Sequence, residues 1–201
     1  MIFISYYTKK TVYENVIKKY LLPSLKKWEL PYIVAGIDNF GTWSANTGYK
    51  SKFILETLEK YKEDIIFLDA DATIERYPHL FLNIPEKYDI AFHWLDWHKF
   101  WRKTEGRPER ELLSGTLMCR YNEKVIALLK NWQKQVQDNI KKWEQKVLQK
   151  IIKTEKHGLK IYNLPIQYCS IIKGSSVPEW IKEPVIVHHQ VSRKYRRGRI
   201  T

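Results

Sequence analysis

The sequence predicts an α/β fold: a single Rossmann-like αβα sandwich with a mostly parallel central sheet. Three observations carry this. Ile65, Ile66, Phe67 and Leu68 are apolar at every position, as a strand covered on both faces must be. That strand runs directly into Asp69 and Asp71, beyond its carboxyl end, where open α/β sheets bind their ligands. Upstream, strand-like and helix-like segments alternate, an order that calls for a parallel sheet with right-handed crossovers. The chain has 201 residues, 44% hydrophobic and 14% aromatic, enough for one packed core and too apolar for a disordered chain. Residues 1 to 192 are read as the domain and residues 193 to 201 as a basic tail.

Residues 3 to 7 form the first strand. Residues 12 to 28 follow as a helix, with Val12, Val16, Ile17, Tyr20, Leu21 and Leu25 at helical spacing and Pro23 placed to kink or break it. Residues 32 to 35 are a second strand, residues 36 to 48 a loop rich in Gly, Asn, Ser and Thr, and residues 50 to 61 a second helix carrying Phe53, Ile54 and Leu58. After the strand with the aspartates, residues 89 to 93 read as a strand. Residues 94 to 111 read as a long polar connection bearing Trp94, Trp97, Lys99, Trp101, Arg102 and Arg107, of the kind that serves a function. Residues 115 to 120 are another strand. Asn122 caps a helical stretch through Val125, Leu128, Leu129, Trp132 and Val136 to Ile152, too long to be unbroken and expected to break near 137 to 141. Residues 160 to 164 and 184 to 188 are the last strands.

Lysine and arginine number 35 against 22 acids, a net charge of +13 that attracts polyanions such as DNA without naming one. The excess is densest at Arg193, Lys194, Arg196, Arg197 and Arg199. No apolar run is long enough to span a bilayer, and the strand-like start followed by Lys9 and Lys10 is unlike a cleavable signal, so the chain reads as cytoplasmic. Two cysteines, Cys119 and Cys169, lie in apolar settings and read as buried free thiols.

Hard divalent cations prefer carboxylate oxygens and often bridge them to substrate phosphates, so a buried strand ending in Asp-x-Asp points to a phosphate-bearing cosubstrate. The same pair also suits a solvated turn. Further segments decide between these: Ile4-Ser5-Tyr6-Tyr7-Thr8, Trp43-Ser44-Ala45-Asn46-Thr47-Gly48-Tyr49-Lys50, Leu113-Ser114-Gly115-Thr116, Glu144-Gln145, Leu164-Pro165 with Tyr168, and Val187-His188-His189-Gln190. In this order and spacing, and over nearly its whole length, the chain resembles the nucleotide-diphospho-sugar transferases of GT-A fold, the glycosyltransferase class built around an Asp-x-Asp motif.

The resemblance implies a role for each segment. Tyr6, Tyr7 and Thr8 would hold the nucleotide base, through stacking faces and hydroxyls. Lys50 would lie near the phosphates and offset charge on the diphosphate leaving group, with Lys52 facing solvent. Asp71 would ligate the cation, Asp69 would contact the ribose or the metal, and His188 would complete a metal shell that suits Mn²⁺ better than Mg²⁺. His189 has the opposite side-chain direction on a strand and is read as partly exposed. Ser114, Gly115 and Thr116 would line the sugar pocket, with Gly115 letting the backbone approach the ligand. Glu144 and Gln145 would face the donor sugar or acceptor. An inverting course needs a carboxylate base, Asp96 or Glu144, whereas a retaining one can rely on Gln145; both courses stay open.

The implied activity is metal-dependent transfer of a sugar from a nucleotide-diphospho-sugar, a UDP-sugar, to an acceptor hydroxyl on a hydroxylated DNA base or a glycan. Two rivals stand beside it. A sugar-nucleotide nucleotidyltransferase calls for a Gly-rich, Arg-containing loop after the first strand, where this chain has Tyr7-Thr8-Lys9-Lys10. A non-catalytic nucleic-acid-binding protein would account for the net charge and the interleaved aromatic and basic residues of 94 to 107, but no recognised binding motif accompanies them.

Overall fold

Strand β3 (Ile65–Leu68) lies inside the main sheet, and all four of its side chains are buried. The computed structural model describes residues 1–101, 109–155 and 157–196, with side chains to residue 193 in the last stretch. The sheet has six strands. β1 (Ile2–Thr8) pairs in parallel with β3 on one side and with β2 (Tyr32–Ile37) on the other. On the far side of β3, β6 (Arg110–Cys119) runs antiparallel and joins it to β5 (Ile90–Asp96) and β7 (Ile161–Asn163), giving the order β2-β1-β3-β6-β5-β7. Only β6 opposes the common direction, so the sheet is mostly parallel as expected.

The period of two sorts the β3 side chains. Ile65 and Phe67 enter a core with α3 (Trp43–Tyr61), α6 (Glu123–Gln137) and α7 (Glu144–Thr154). Ile66 and Leu68 enter a second core with α1 (Tyr13–Lys19), α2 (Leu21–Lys27) and α4 (Leu80–Asn83). These are the two helical layers of the sandwich. Burial pushes the thiols of Cys119 and Cys169 up to about 12, and both are free.

Several elements depart from the expectation. The helix of residues 12 to 28 is two helices parted at Tyr20, because Pro23 has no N–H to give Lys19 and its ring excludes a continuous turn there. The loop of residues 36 to 48 ends early: Thr42 Oγ1 accepts from the Ala45 N–H at 3.1 Å, so α3 begins at Trp43 despite its loop-like composition. β5 reaches Asp96 and β6 starts at Arg110, so much of the connection of residues 94 to 111 is strand or the short α5 (Trp97–Trp101). Arg102 and Arg107 lie outside the described residues. The break in the long helical stretch is present, between Gln137 and Glu144.

A second, three-stranded sheet went unforeseen: β4 (Ala72–Ile74), β9 (Ile186–His188) and β8 (Ser170–Ile171), the last following a 3₁₀ turn (Ile166–Cys169). The chain then forms α8 (Val191–Arg196), so the segment read as a tail begins in a helix. Arg197 and Arg199 lie outside the described residues. No helix among the described residues is long and apolar enough to cross a membrane.

Gly48 lets α3 approach α6, since a Cβ there would meet Val136 Cγ1 at 2.9 Å. Gly48→Ala gains about 1 kcal/mol of helix propensity. It should nevertheless lower stability by about 1–2 kcal/mol through overpacking. Urea denaturation of the single variants and of Gly48→Ala/Val136→Ala should show the two changes partly cancelling. Additive losses would mean that this contact does not set the helix spacing.

Candidate active site

Three elements converge beyond the carboxyl end of β3. Asp69 leaves the strand with its N–H donated to Gly115 O at 2.9 Å, and the Ala72 N–H returns to Asp69 O at 2.9 Å, making a tight turn that carries Asp71. β4 resumes at once and pairs with β9 so that Ala72 stands opposite His188. This places ligand atoms of Asp69, Asp71 and His188 within 4.8 Å of one another.

Each of the three spends one polar atom on the protein and keeps another. Asp69 Oδ1 meets Lys50 Nζ at 3.0 Å. Asp71 Oδ2 accepts the Val191 N–H at 2.8 Å. His188 Nε2 lies 2.9 Å from the Thr116 hydroxyl. Burial lowers the His188 pKa to about 4, so its imidazole is neutral near pH 7 and has a lone pair to offer. Burial and the neighbouring Asp69 charge raise Asp71 to about 6, against the opposing pull of the Val191 N–H and Lys50. Two carboxylate oxygens and one imidazole nitrogen fit a divalent cation. Gly115 leaves the room: a Cβ there would lie 3.0 Å from both Asp69 Oδ2 and His188 Nδ1 and 2.8 Å from His188 Cε1.

Lys50, only 3% exposed, holds the other side of the site. Its ammonium contacts Asp69 Oδ1 at 3.0 Å, Glu144 Oε1 at 2.9 Å, Ser114 O at 3.2 Å and Ser114 Oγ at 3.1 Å. Burial alone would lower its pKa, but the Asp69 and Glu144 charges reverse the sign and raise it. Glu144 is equally buried, and its Oε2 has no partner among the described residues. The Glu144 carbonyl accepts from the indole of fully buried Trp132 at 2.9 Å, which fixes the first turn of α7. Gln145 accepts the Ser114 N–H at Oε1, 3.1 Å, and donates from Nε2 to Glu111 Oε1, 2.9 Å.

The carboxylates sit between two lobes of one cleft. A lobe of about 150 Å³ is bounded by Tyr6, Tyr7 and Thr8 at the end of β1 and by Trp43, Asn46 and Thr47 of α3. The other, of about 110 Å³, is bounded by Glu111, Leu113, Gly115, His188 and Arg193. Asp69, Asp71, Trp143, Gln145 and Ser192 line both. Tyr6 is enclosed by Tyr49, Phe53 and Phe67, and its hydroxyl donates to Asn46 O at 2.9 Å.

Of the residues singled out in the sequence, Asp69, Asp71, His188, Lys50, Ser114, Gly115, Glu144, Gln145, Tyr6, Tyr7 and Thr8 come together here. Thr116 is fully buried behind His188 rather than on the cleft wall. Lys50 turns inward to the carboxylates, while Lys52 pairs with Glu56 on the surface. Asp96 is not brought to the carboxylates: it accepts the Lys99 N–H at 2.9 Å at the start of α5 and borders a separate hollow. His189 points away, stacked on Tyr20 and 3.1 Å from the Thr73 hydroxyl. Sequence reading missed Glu111 and Trp143, and gave Ser192 no role although it follows the Val187-His188-His189-Gln190 segment of the resemblance. Trp143 beside Glu144-Gln145 was a signal available; nothing local marks Glu111.

No curated protein matches the chain. Among solved structures it is similar to a glycosyltransferase involved in glycosylation of the major capsid of PBCV-1, with a TM-score of 0.67 and 14% identity over 99% of each chain. It is also similar to mouse xyloside xylosyltransferase 1, with a TM-score of 0.55 and 14% identity over 96% of this chain and 99% of that one. A third likeness is to the galactosyltransferase LgtC in complex with donor and acceptor sugar analogues, with a TM-score of 0.54 and 9% identity over 94% and 87%. These likenesses give the GT-A fold. The family model for nucleotide-diphospho-sugar transferases matches residues 41–199, most of the chain. The chain therefore belongs to the nucleotide-diphospho-sugar transferase family and is a glycosyltransferase of GT-A fold.

Proposed function

We propose that the enzyme is divalent-cation-dependent and moves the sugar of a UDP-sugar to an acceptor hydroxyl. The observation that carries this reading is the convergence of Asp69, Asp71 and His188 where the two lobes meet. Charge supports it: Lys50 stands among three carboxylates, Asp69, Asp71 and Glu144, so even with Arg193 on the wall of the smaller lobe a negative surplus is left for a cation to balance. When bound, a cation such as Mn²⁺ supplies Lewis-acid stabilisation of the departing diphosphate.

The chain's own residues do the rest. The β1 end with Tyr6, Tyr7 and Thr8 holds the base in the larger lobe, which puts the diphosphate against Asp69 and Asp71. Lys50 acts through Asp69, holding that carboxylate in place through the ion pair at 3.0 Å. Thr116 orients His188, as outer hydrogen-bond partners of metal-binding imidazoles do. The unpartnered Oε2 of Glu144, buried at the larger lobe, accepts a hydroxyl of the donor sugar. Asp96 lies outside both lobes. Glu144 and Gln145 are the groups that this reading sets beside the anomeric carbon.

Calorimetry tests the reading. UDP should bind at least about tenfold more tightly with Mn²⁺ than without it, a difference of about 1.4 kcal/mol. Asp71→Asn and His188→Ala should each abolish the gain. Equally weak binding of UDP, GDP and dTDP with and without Mn²⁺ would overturn both the donor and the metal.

The same measurement has a predicted pH dependence. The cation must displace the proton of Asp71, whose pKa is about 6, so Mn²⁺-dependent UDP affinity should be flat above that value. Below it, affinity should fall about tenfold per pH unit. His188, at about 4, adds a second proton only further down. An affinity unchanged on acidification from neutral pH would remove Asp71 from the ligand set.

Gly115→Ala should abolish the Mn²⁺ effect while thermal unfolding moves little, because the new Cβ strikes His188 and Asp69 rather than the core. Retained Mn²⁺ dependence in this variant would show that His188 and Asp69 need not approach each other.

A further inference from the structure

Beside the smaller lobe lies a groove that no step above uses. It rests on its own small core of Leu95, Phe100, Leu113, Ile171 and Ile181, separate from the two that cover the sheet. Two hollows, about 250 Å³ and about 540 Å³, adjoin each other through Lys99, Phe100 and Trp180. Leu95 is buried and lines both the first hollow and the smaller lobe of the active site, so the two lie on either side of one side chain.

Its surface chemistry is of two kinds. Trp180, at 43% exposure, is the one exposed tryptophan among the described residues, and Lys99 Nζ lies 5.5 Å from its ring centroid. Lys173 Nζ lies 5.6 Å from the Trp101 centroid and donates to Phe100 O at 3.4 Å, which anchors the ammonium at the rim. Arg110 borders the first hollow. Asp96 is the acid among the lining residues, and its Oδ1 is spent on the Lys99 N–H. The groove therefore offers one flat apolar face with an excess of positive charge around it.

A single-stranded nucleic acid is held by a succession of exposed stacking rings along a basic track. Here one ring is exposed, and Trp94, Phe100 and Trp101 are partly or wholly buried. One ring between cations suits a single sugar with a negative charge: the apolar face of a pyranose covers the indole, and the anion meets the ammonium groups.

We propose that this groove is the acceptor subsite and takes an acidic oligosaccharide, one sugar stacked on Trp180 and its carboxylate or phosphate held by Lys99 and Lys173. The proposal rests on the transferase reading above, because the acceptor hydroxyl must reach the smaller lobe.

Direct binding tests it without turnover. The probes are trigalacturonic acid, a phosphate-bearing mannose trisaccharide, neutral maltotriose and a thymidine oligonucleotide, titrated by calorimetry in the presence of UDP and Mn²⁺. At least one acidic trisaccharide should bind about tenfold more tightly than maltotriose and weaken as salt is raised. The carboxylate and phosphate arms identify the anion. Trp180→Ala, and separately Lys99→Ala/Lys173→Ala, should each cost about tenfold in that affinity.

UDP binding with Mn²⁺ by the same variants reports on the fold and the donor lobe. Loss of UDP binding by the wild type while the acidic trisaccharide still binds would sink the donor reading and leave the groove standing. Acidic trisaccharides that bind no better than maltotriose, or that ignore both variants, would overturn the groove. An oligonucleotide that binds more tightly than either acidic probe would overturn it in favour of a nucleic-acid surface.

Discussion

The site depends on one buried ammonium. Removing Lys50 from water is costly unless its charge is met in good geometry and its donors are filled. It is met by Asp69 from the end of β3 and by Glu144 from the start of α7, with Ser114 of β6 completing the shell. Four separate elements are thus held to one point. The raised pKa of Lys50 means that its partners more than repay its burial, so it stays charged across the physiological range. What is left over is negative. Asp71 shows this in its pKa near 6, raised by burial and by Asp69, and a cation is the natural way to relieve both.

The small sheet is what adds an imidazole to that surplus. Without β9, Asp69 and Asp71 would be two carboxylates in a turn. Pairing β4 with β9 brings His188 opposite Ala72, and the same segment returns its backbone to Asp71 twice, through the His189 N–H at 3.0 Å and the Val191 N–H at 2.8 Å. The C-terminal segment therefore closes over the carboxylates, and Ser192 and Arg193 become part of the cleft wall. The register shift of β5 against β6 falls at Ala91/His93, alongside Ser114, Gly115 and Thr116. Such irregularities re-aim side chains. Here Ser114 turns to Lys50 and Thr116 to His188, on opposite sides of a glycine with no room for a side chain.

How much of this was legible follows from how local each signal is. β3 and its two aspartates could be read directly, because an all-apolar strand and its polar end are adjacent in sequence. His188 could be read only through resemblance, since its approach to Asp71 depends on β4 and β9, each three residues long and too short to show a period. The start of α3 was misplaced because Ser, Asn, Thr and Gly are common in loops, although Thr42 with Ala45 three residues on was a legible cap. Lys50 was found, but its burial between Asp69 and Glu144 was not legible, because its carboxylate partners come from the end of β3 and the start of α7. Glu111 was invisible, since its partners Trp97, Gln145 and Lys146 come from other elements.

Glu111 shows how the two sides of the cleft are joined. A glutamine amide can flip its oxygen and nitrogen unless its partners distinguish them. Gln145 faces the Ser114 N–H, which can only donate, and the Glu111 carboxylate, which when ionised can only accept, so its amide has one orientation. The other oxygen of Glu111 takes the Trp97 indole at 2.6 Å, and Lys146 balances its charge at 2.7 Å. Trp97 opens α5, the helix that also carries Lys99 and Phe100 to the groove. Through one buried carboxylate, the residue beside the two aspartates and the helix that borders the groove are held in a single network. A displacement of α5 must therefore be felt at Gln145, where the two lobes meet.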